Sequence, residues 1–142
     1  MRFGIPQTPF VLGSLGLVPF VLTALIKVSG DGTDAGLVNS LAALSTKYFL
    51  PYALSIVSFM AAIHWSWAMT NQNFRLGYFS AIGITLITWA FHNTLMVYPA
   101  AFLAILLGDF LASRRGIAPA WYLPLRLYLT IVVLASLLVL SW

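Results

Sequence analysis

The chain has 142 residues, of which 61% are hydrophobic and 7% are charged, and it contains no cysteine. Soluble domains carry about 25% charged residues, so this composition excludes an ordinary soluble domain and indicates a membrane protein. The lack of cysteine excludes disulfides and thiolate-held metal or iron–sulfur centres, and the seven Lys and Arg residues are too scattered to form a nucleic-acid surface.

Five apolar stretches follow one another along the chain, separated by short polar turns. Each is about long enough, at roughly 1.5 Å per helical residue, to cross a hydrocarbon layer of about 30 Å. They predict an all-α, polytopic membrane protein, with residues 1–142 forming one domain, a single bundle of five transmembrane helices. The predicted spans are residues 10–27, 48–69, 76–91, 95–112 and 120–140.

Two segments near the N-terminus need separate interpretation. Residues 35–46 are mildly amphipathic and too polar to span, so we expect them to lie along the membrane surface or to extend the next helix. A signal peptide is the rival interpretation of residues 1–28. Its apolar stretch is longer than the usual length of about 7–15 residues, and no A-x-A cleavage site follows it. We therefore expect a mature first helix.

Basic residues are distributed unevenly between the two ends of the predicted spans. Five lie on one side, at Arg2, Arg75, Arg114, Arg115 and Arg126. Two lie on the other side, at Lys27 and Lys47, together with Asp31 and Asp34. The positive-inside rule therefore predicts an N-terminus in the cytoplasm or matrix and a C-terminus outside, as an odd number of spans requires.

Small residues recur at helical spacing on the predicted spans. They are Ser55, Ser58 and Ala62 on the second span, Gly77, Ala81 and Thr85 on the third, and Ala104, Gly108 and Ala112 on the fourth. Helices in lipid gain no hydrophobic drive to associate, so their contacts favour small residues that allow close approach. These positions are expected to pack helices within the bundle, and a face reserved for a partner subunit is the alternative.

Three ionisable residues on three different predicted spans fall at a similar depth from the cytoplasmic side. His64, Asp109 and Arg126 lie about 9, 6 and 10 Å from the nearer helix ends by helical rise. A charge inside a membrane costs about 2.5–3.5 kcal/mol on insertion scales, so it usually faces a partner or a cavity. We expect a bidentate contact between Asp109 and Arg126, with His64 as a hydrogen-bond partner or proton acceptor.

Two interpretations of this cluster remain open: a structural latch between the fourth and fifth spans, and a pocket that binds a ligand or handles a proton. Trp65, Trp67, Trp121 and Tyr122 lie at the same level, although membrane interfaces favour these residue types in any case. Trp65, Trp121 and Tyr122 complete the candidate site. His64 and His92 differ in depth by more than about 10 Å, so one chain cannot place both on one haem. We predict no catalytic residue, metal site or cofactor.

Three stretches of the sequence carry a family resemblance. They are LGSLGLVPF at residues 12–20, LSIVSFMAAIHW at residues 54–65 and PAWYLPLRLYLT at residues 119–130. In this order they resemble the transmembrane protein 69 family, the domain of unknown function 3429 family. The most specific parts are the WY-x-x-LR element that ends at Arg126 and the HW pair at His64. The chain departs from the glycine-rich end of the family's second helix, where it has Ala61, Ala62 and Ser66.

The resemblance implies a small inner-membrane protein, of a bacterium or a mitochondrion, without an established activity. Our leading hypothesis is a non-catalytic accessory or assembly subunit of a larger respiratory or photosynthetic complex, in contact with lipids and other transmembrane subunits. The alternative is a protein that binds or transports a lipid, quinone or porphyrin in a cytoplasmic-side pocket. An enzyme is not expected, because Asp109 is the only acidic residue in a predicted span.

Overall fold

The computed structural model describes residues 4–30 and 36–142, with side chains described over residues 4–29 and 47–142. Within these ranges the chain forms helices and turns and no β-strand, so the all-α prediction is confirmed. The helices are α1 Gln7–Leu15, α2 Val18–Gly30, α3 Gly36–Thr70, α4 Leu76–Ala90, α5 Val97–Arg114 and α6 Tyr122–Ser141. A single 3-10 turn, Gln72–Phe74, joins α3 to α4.

Four segments are helical, long and apolar enough to cross a membrane. They are Gln7–Ser29, Lys47–Thr70, Val97–Arg114 and Tyr122–Ser141. Large apolar side chains also cover the outside of the bundle, as at Phe79 and Ile131, which are 74% and 64% exposed. An apolar exterior of this kind fits lipid rather than water as the surrounding solvent. The chain therefore has the character of a multi-pass membrane protein.

The predicted third span corresponds to α4, which is shorter than each of the four segments named above. Its 15 residues extend only about 22 Å at the helical rise, whereas a spanning helix needs about 20 residues. The helix contains no charged residue, and it packs along α3 through the buried Gly77 and Ala81. By length and composition alone, the described helices provide four spans.

The first predicted span, residues 10–27, is divided into two helices by a bend at Gly16 and Leu17. Pro19 accounts for the bend, because a proline supplies no backbone N–H to the carbonyl four residues earlier. Within the bend, the N–H of Leu17 bonds to the carbonyl three residues earlier, that of Ser14, at 3.0 Å. The Tyr52 hydroxyl on α3 donates to the Gly16 carbonyl at 2.8 Å. As a result, α1 contacts α6 while α2 packs against both α3 and α6.

The helix α3 extends well beyond the predicted second span, because its backbone is already helical at Gly36. Residues 36–46 therefore extend this helix, and residue 35 lies outside the described residues. Pro51 lies inside the helix and supplies no N–H to the carbonyl of Lys47. Three charges used for the orientation also lie outside the described residues, at Arg2, Asp31 and Asp34.

Aromatic side chains fill the centre of the bundle. Phe20 of α2 packs edge-to-face on Phe49 of α3 and on Phe102 of α5, with ring centroids 5.4 and 6.0 Å apart. All three rings are buried. A second, smaller cluster surrounds Phe74 and Tyr122 at the level where α3 and α5 end and α6 begins. This second cluster lies beside the predicted ionisable residues.

Candidate functional site

The carboxylate of Asp109 on α5 is bonded by side chains of two other helices. Arg126 on α6 donates from Nε to Oδ2 at 2.7 Å. The Tyr122 hydroxyl, one turn earlier on α6, donates to Oδ1 at 3.3 Å, and His64 Nε2 on α3 lies 3.1 Å from the same oxygen. His64 and Asp109 have no exposed surface, and Arg126 is 4% exposed. Three helices are thus joined by one buried network.

The imidazole of His64 extends this network to a fourth helix. Because a carboxylate only accepts hydrogen bonds, Nε2 carries the proton that is shared with Asp109. Nδ1 lies 3.2 Å from the hydroxyl oxygen of Ser80 on α4. That hydroxyl also lies 3.1 Å from the carbonyl oxygen of Gly77 and can donate to either atom. Ser80 was not among the predicted site residues.

The contact of Asp109 with Arg126 is not the bidentate pair that we expected. Oδ1 is already occupied by His64 and Tyr122, so the guanidinium reaches the carboxylate through Nε alone. Its Nη1 donates to the sulfur of Met60 at 2.7 Å, which is a weak acceptor. Nη2 has no hydrogen-bond partner within the part of the chain that the structure describes.

Gly108 allows α5 to approach the imidazole closely. A Cβ atom at this position would overlap the ring of His64. The predicted packing ridge on α5 is therefore divided in its roles: Gly108 faces His64, Ala112 is buried beside Tyr122, and Ala104 is exposed. The glycine is needed here because no side chain fits between the α5 backbone and the ring.

The predicted aromatic residues of the site are only partly brought together. Trp121 lies against Tyr122 with ring centroids 6.1 Å apart. Trp65 does not join the cluster: it is 41% exposed and packs on Tyr78 of α4 at 4.9 Å. Trp67, which the sequence placed at the same level but which was not included in the candidate site, takes that position and contacts both His64 and Tyr122, at 5.7 and 5.1 Å between centroids.

A cavity of about 500 Å³ lies next to the ionisable network. Its walls come from α1, α2, α3, α5 and α6, and they are mostly apolar. Leu12 and Phe59 at its rim are 63% and 64% exposed, so the cavity opens sideways on the outer surface of the bundle. Ligand sites in proteins typically occupy about 300–1,000 Å³. The cavity therefore has the size of a ligand site and opens where lipid would lie.

Three polar side chains of α6 line this cavity: Tyr122, whose hydroxyl bonds to Asp109, and Arg126 and Thr130. Thr130 is 2% exposed, and its hydroxyl has no hydrogen-bond partner among the described residues. The hydroxyl of Thr88 behaves differently, because it donates to the carbonyl four residues earlier, that of Ile84, at 2.7 Å. Buried polar atoms in proteins are nearly always paired, so the free hydroxyl and the free Nη2 of Arg126 call for an explanation.

The two histidines are placed too differently to share a haem iron. Both ring nitrogens of His64 lie within hydrogen-bond distance of a partner, Asp109 and Ser80. His92 lies in the exposed turn after α4, where its Nδ1 donates to the Trp89 carbonyl at 2.8 Å. Intrinsic bis-histidine haem ligation has no support in this geometry.

The fold and this site together define a class: a multi-pass α-helical membrane protein with a buried ionic network beside a lateral apolar cavity. Residues 5–141 match the model of the family described as protein of unknown function, DUF3429. The chain belongs to this family, and the resemblance seen in the sequence is confirmed to that extent. No curated protein and no solved structure matches it.

Proposed function

We propose that the protein binds a small, largely apolar molecule from the membrane in the lateral cavity. The observation that carries this proposal is the pair of polar groups without a hydrogen-bond partner among the described residues, Arg126 Nη2 and the Thr130 hydroxyl, on side chains of a mostly apolar wall. Leaving such a group buried without a hydrogen bond costs about 1–3 kcal/mol, and more when it is charged. A ligand that bonds to both groups would remove this cost.

The proposed role is binding rather than catalysis. Asp109 is engaged by Arg126, His64 and Tyr122 and is fully buried, so it is not poised to exchange protons with a substrate. The other ionisable groups of the network hold the same carboxylate. The structural latch and the ligand pocket are thus compatible, because Arg126 both bonds to Asp109 and lines the cavity.

Filling the cavity tests this proposal. Ile56 lines the cavity and is half-buried, so Ile56→Trp should occupy part of its volume and remove most of the apolar molecule that copurifies with the full chain. The bound molecule is quantified by mass spectrometry of an organic extract. Ile131→Trp is the matched control, because Ile131 faces outward on α6 at 64% exposure and should leave the bound amount unchanged.

The result that would contradict the proposal is equal recovery of the same molecules from the wild type and both variants. Copurification of bulk membrane lipid alone, with no species enriched, would contradict it as well.

We also propose that α4 crosses the membrane as a fifth span, with the N-terminus in the cytoplasm or matrix. Its uncharged, mostly apolar sequence and its packing along α3 support this, together with the greater number of basic residues at the end of α5. The chain has no cysteine, so single cysteines at Asn73 and Trp142 can be labelled without background. Labelling of both from the same side of the membrane would exclude this topology.

A second candidate function is that of an accessory or assembly subunit in an inner membrane, bacterial or mitochondrial. A shallow groove between α3 and α4, lined by Ser58, Ala62, Ala81 and Thr85, favours it, because small residues admit a close partner helix. On the resemblance of the sequence, we also propose that the protein is related to transmembrane protein 69. Migration of the gently solubilised protein as a monomer in native electrophoresis, with no other subunit, would count against it.

A further inference from the structure

Two side chains of the cavity wall, Arg126 and Thr130 on α6, each carry a polar atom that has no hydrogen-bond partner among the described residues. Arg126 and Thr130 are four residues apart, so their side chains project from the same side of the helix. Nη2 carries two N–H groups and has no lone pair to offer. The Thr130 hydroxyl can donate as well, since it is not bonded to its own helix. A ligand atom that contacts both groups must therefore be an acceptor, such as an oxygen.

The charge of the network favours a neutral acceptor. The charges of Asp109 and Arg126 cancel across their 2.7 Å contact. An anionic ligand would leave one net negative charge buried in the bundle, and an uncompensated buried ion costs several kcal/mol. A neutral oxygen avoids this cost.

The remaining walls of the cavity are rich in aromatic rings. Phe20, Phe59, Phe102 and Trp121 contribute to its lining. Rings of this kind pack well against a flat, apolar partner. Resting on the proposed function, we infer that the ligand is an apolar molecule that presents a neutral carbonyl oxygen to Arg126 and Thr130. A quinone ring and an acylglycerol ester both supply this chemistry.

Three probes with the same saturated tail separate these sources from an anion: decylubiquinone, didecanoylglycerol and decanoate. The purified full-length protein is titrated with each, and Kd is obtained from the rise of the thermal unfolding midpoint with probe concentration. We expect at least one neutral probe to bind about tenfold or more tightly than decanoate, because the anion adds an uncompensated charge. The tighter of the two neutral probes identifies the source of the carbonyl.

Variants of Thr130 test the contact itself. Thr130→Val should weaken binding of the tighter neutral probe by about fivefold to tenfold, the effect of one net hydrogen bond. Thr130→Ser keeps the hydroxyl and should bind as the wild type does. Thr88→Val is the matched control, because Thr88 is equally buried but its hydroxyl is bonded within α4.

The outcomes separate the two proposals. If decanoate binds as tightly as the neutral probes, or if Thr130→Val leaves their Kd unchanged, the carbonyl assignment is wrong and the binding cavity stands. If no probe binds and Ile56→Trp changes no copurifying molecule, the binding function itself is wrong.

Discussion

Arg126→Leu and Asp109→Leu should each lower the free energy of unfolding by roughly 3–5 kcal/mol, because either change leaves a buried charge without its partner. The two side chains meet at 2.7 Å in a site with almost no exposed surface. The double variant should lose less than the sum of the single losses, since neither charge is then left alone. Denaturation of the detergent-solubilised protein by SDS, followed by circular dichroism, measures all three.

An exposed arginine provides the control for these variants. Arg114→Leu removes the same kind of side chain from the end of α5, where it is exposed, and should change the free energy of unfolding by less than about 0.5 kcal/mol. Strictly additive losses for Arg126→Leu and Asp109→Leu would show that the pair is not coupled. The same variants also report on the ligand: an anionic occupant would be lost with Arg126→Leu and kept with Asp109→Leu.

The depth of a residue in the membrane could be predicted from the sequence. The direction in which its side chain points from the helix could not. Helical rise alone placed His64, Asp109 and Arg126 at one level, and the structure brings them together. Trp65 was included on the same argument, yet each helical residue turns by about 100°, so the neighbour of His64 points elsewhere. Trp67, three residues after His64, lies on its face and contacts it.

The same rule of helical neighbours indicates what could have been found in advance. Met60 lies four residues before His64, and Thr130 lies four residues after Arg126. Residues four apart share one side of a helix, so both could have been predicted as part of the site. Ser80 was not, because its contact with His64 depends on how α4 is rotated against α3. The rotation of one helix against another follows from packing, which a periodic apolar pattern does not specify when the helix is apolar all round.

The lateral cavity could not be predicted from the sequence either. It depends on the bend between α1 and α2, which leaves α1 against α6 rather than along α3. The sequence contains the cause, Pro19 with Gly16, but a proline in a membrane helix is tolerated in several ways, so a bend of this direction could not be derived. The start of α3 was left open between two alternatives, since the polar residues before the span fit a surface segment as well as an extension of the helix.

Gly108→Ala should lower the free energy of unfolding by about 1–3 kcal/mol, the usual cost of overpacking a filled interior. The added Cβ would overlap the imidazole of His64, which cannot retreat without leaving Asp109 or Ser80. The loss should therefore include part of the hydrogen bonding of the network. Gly83→Ala is the matched control, because among the described residues nothing lies within 4 Å of its Cβ position.

The two glycines should respond with opposite signs. Gly83→Ala removes a flexible residue from the interior of α4 and should stabilise the protein by about 0.5–1 kcal/mol. In a His64→Ala background the obstruction at Gly108 is gone, so Gly108→Ala should become neutral or stabilising as well. Equal effects of the alanine at both positions, or a loss at Gly108 that persists without the imidazole, would mean that contact with His64 is not the reason for this glycine. A reversal of sign on removing His64 would identify the ring as the group that α5 must approach.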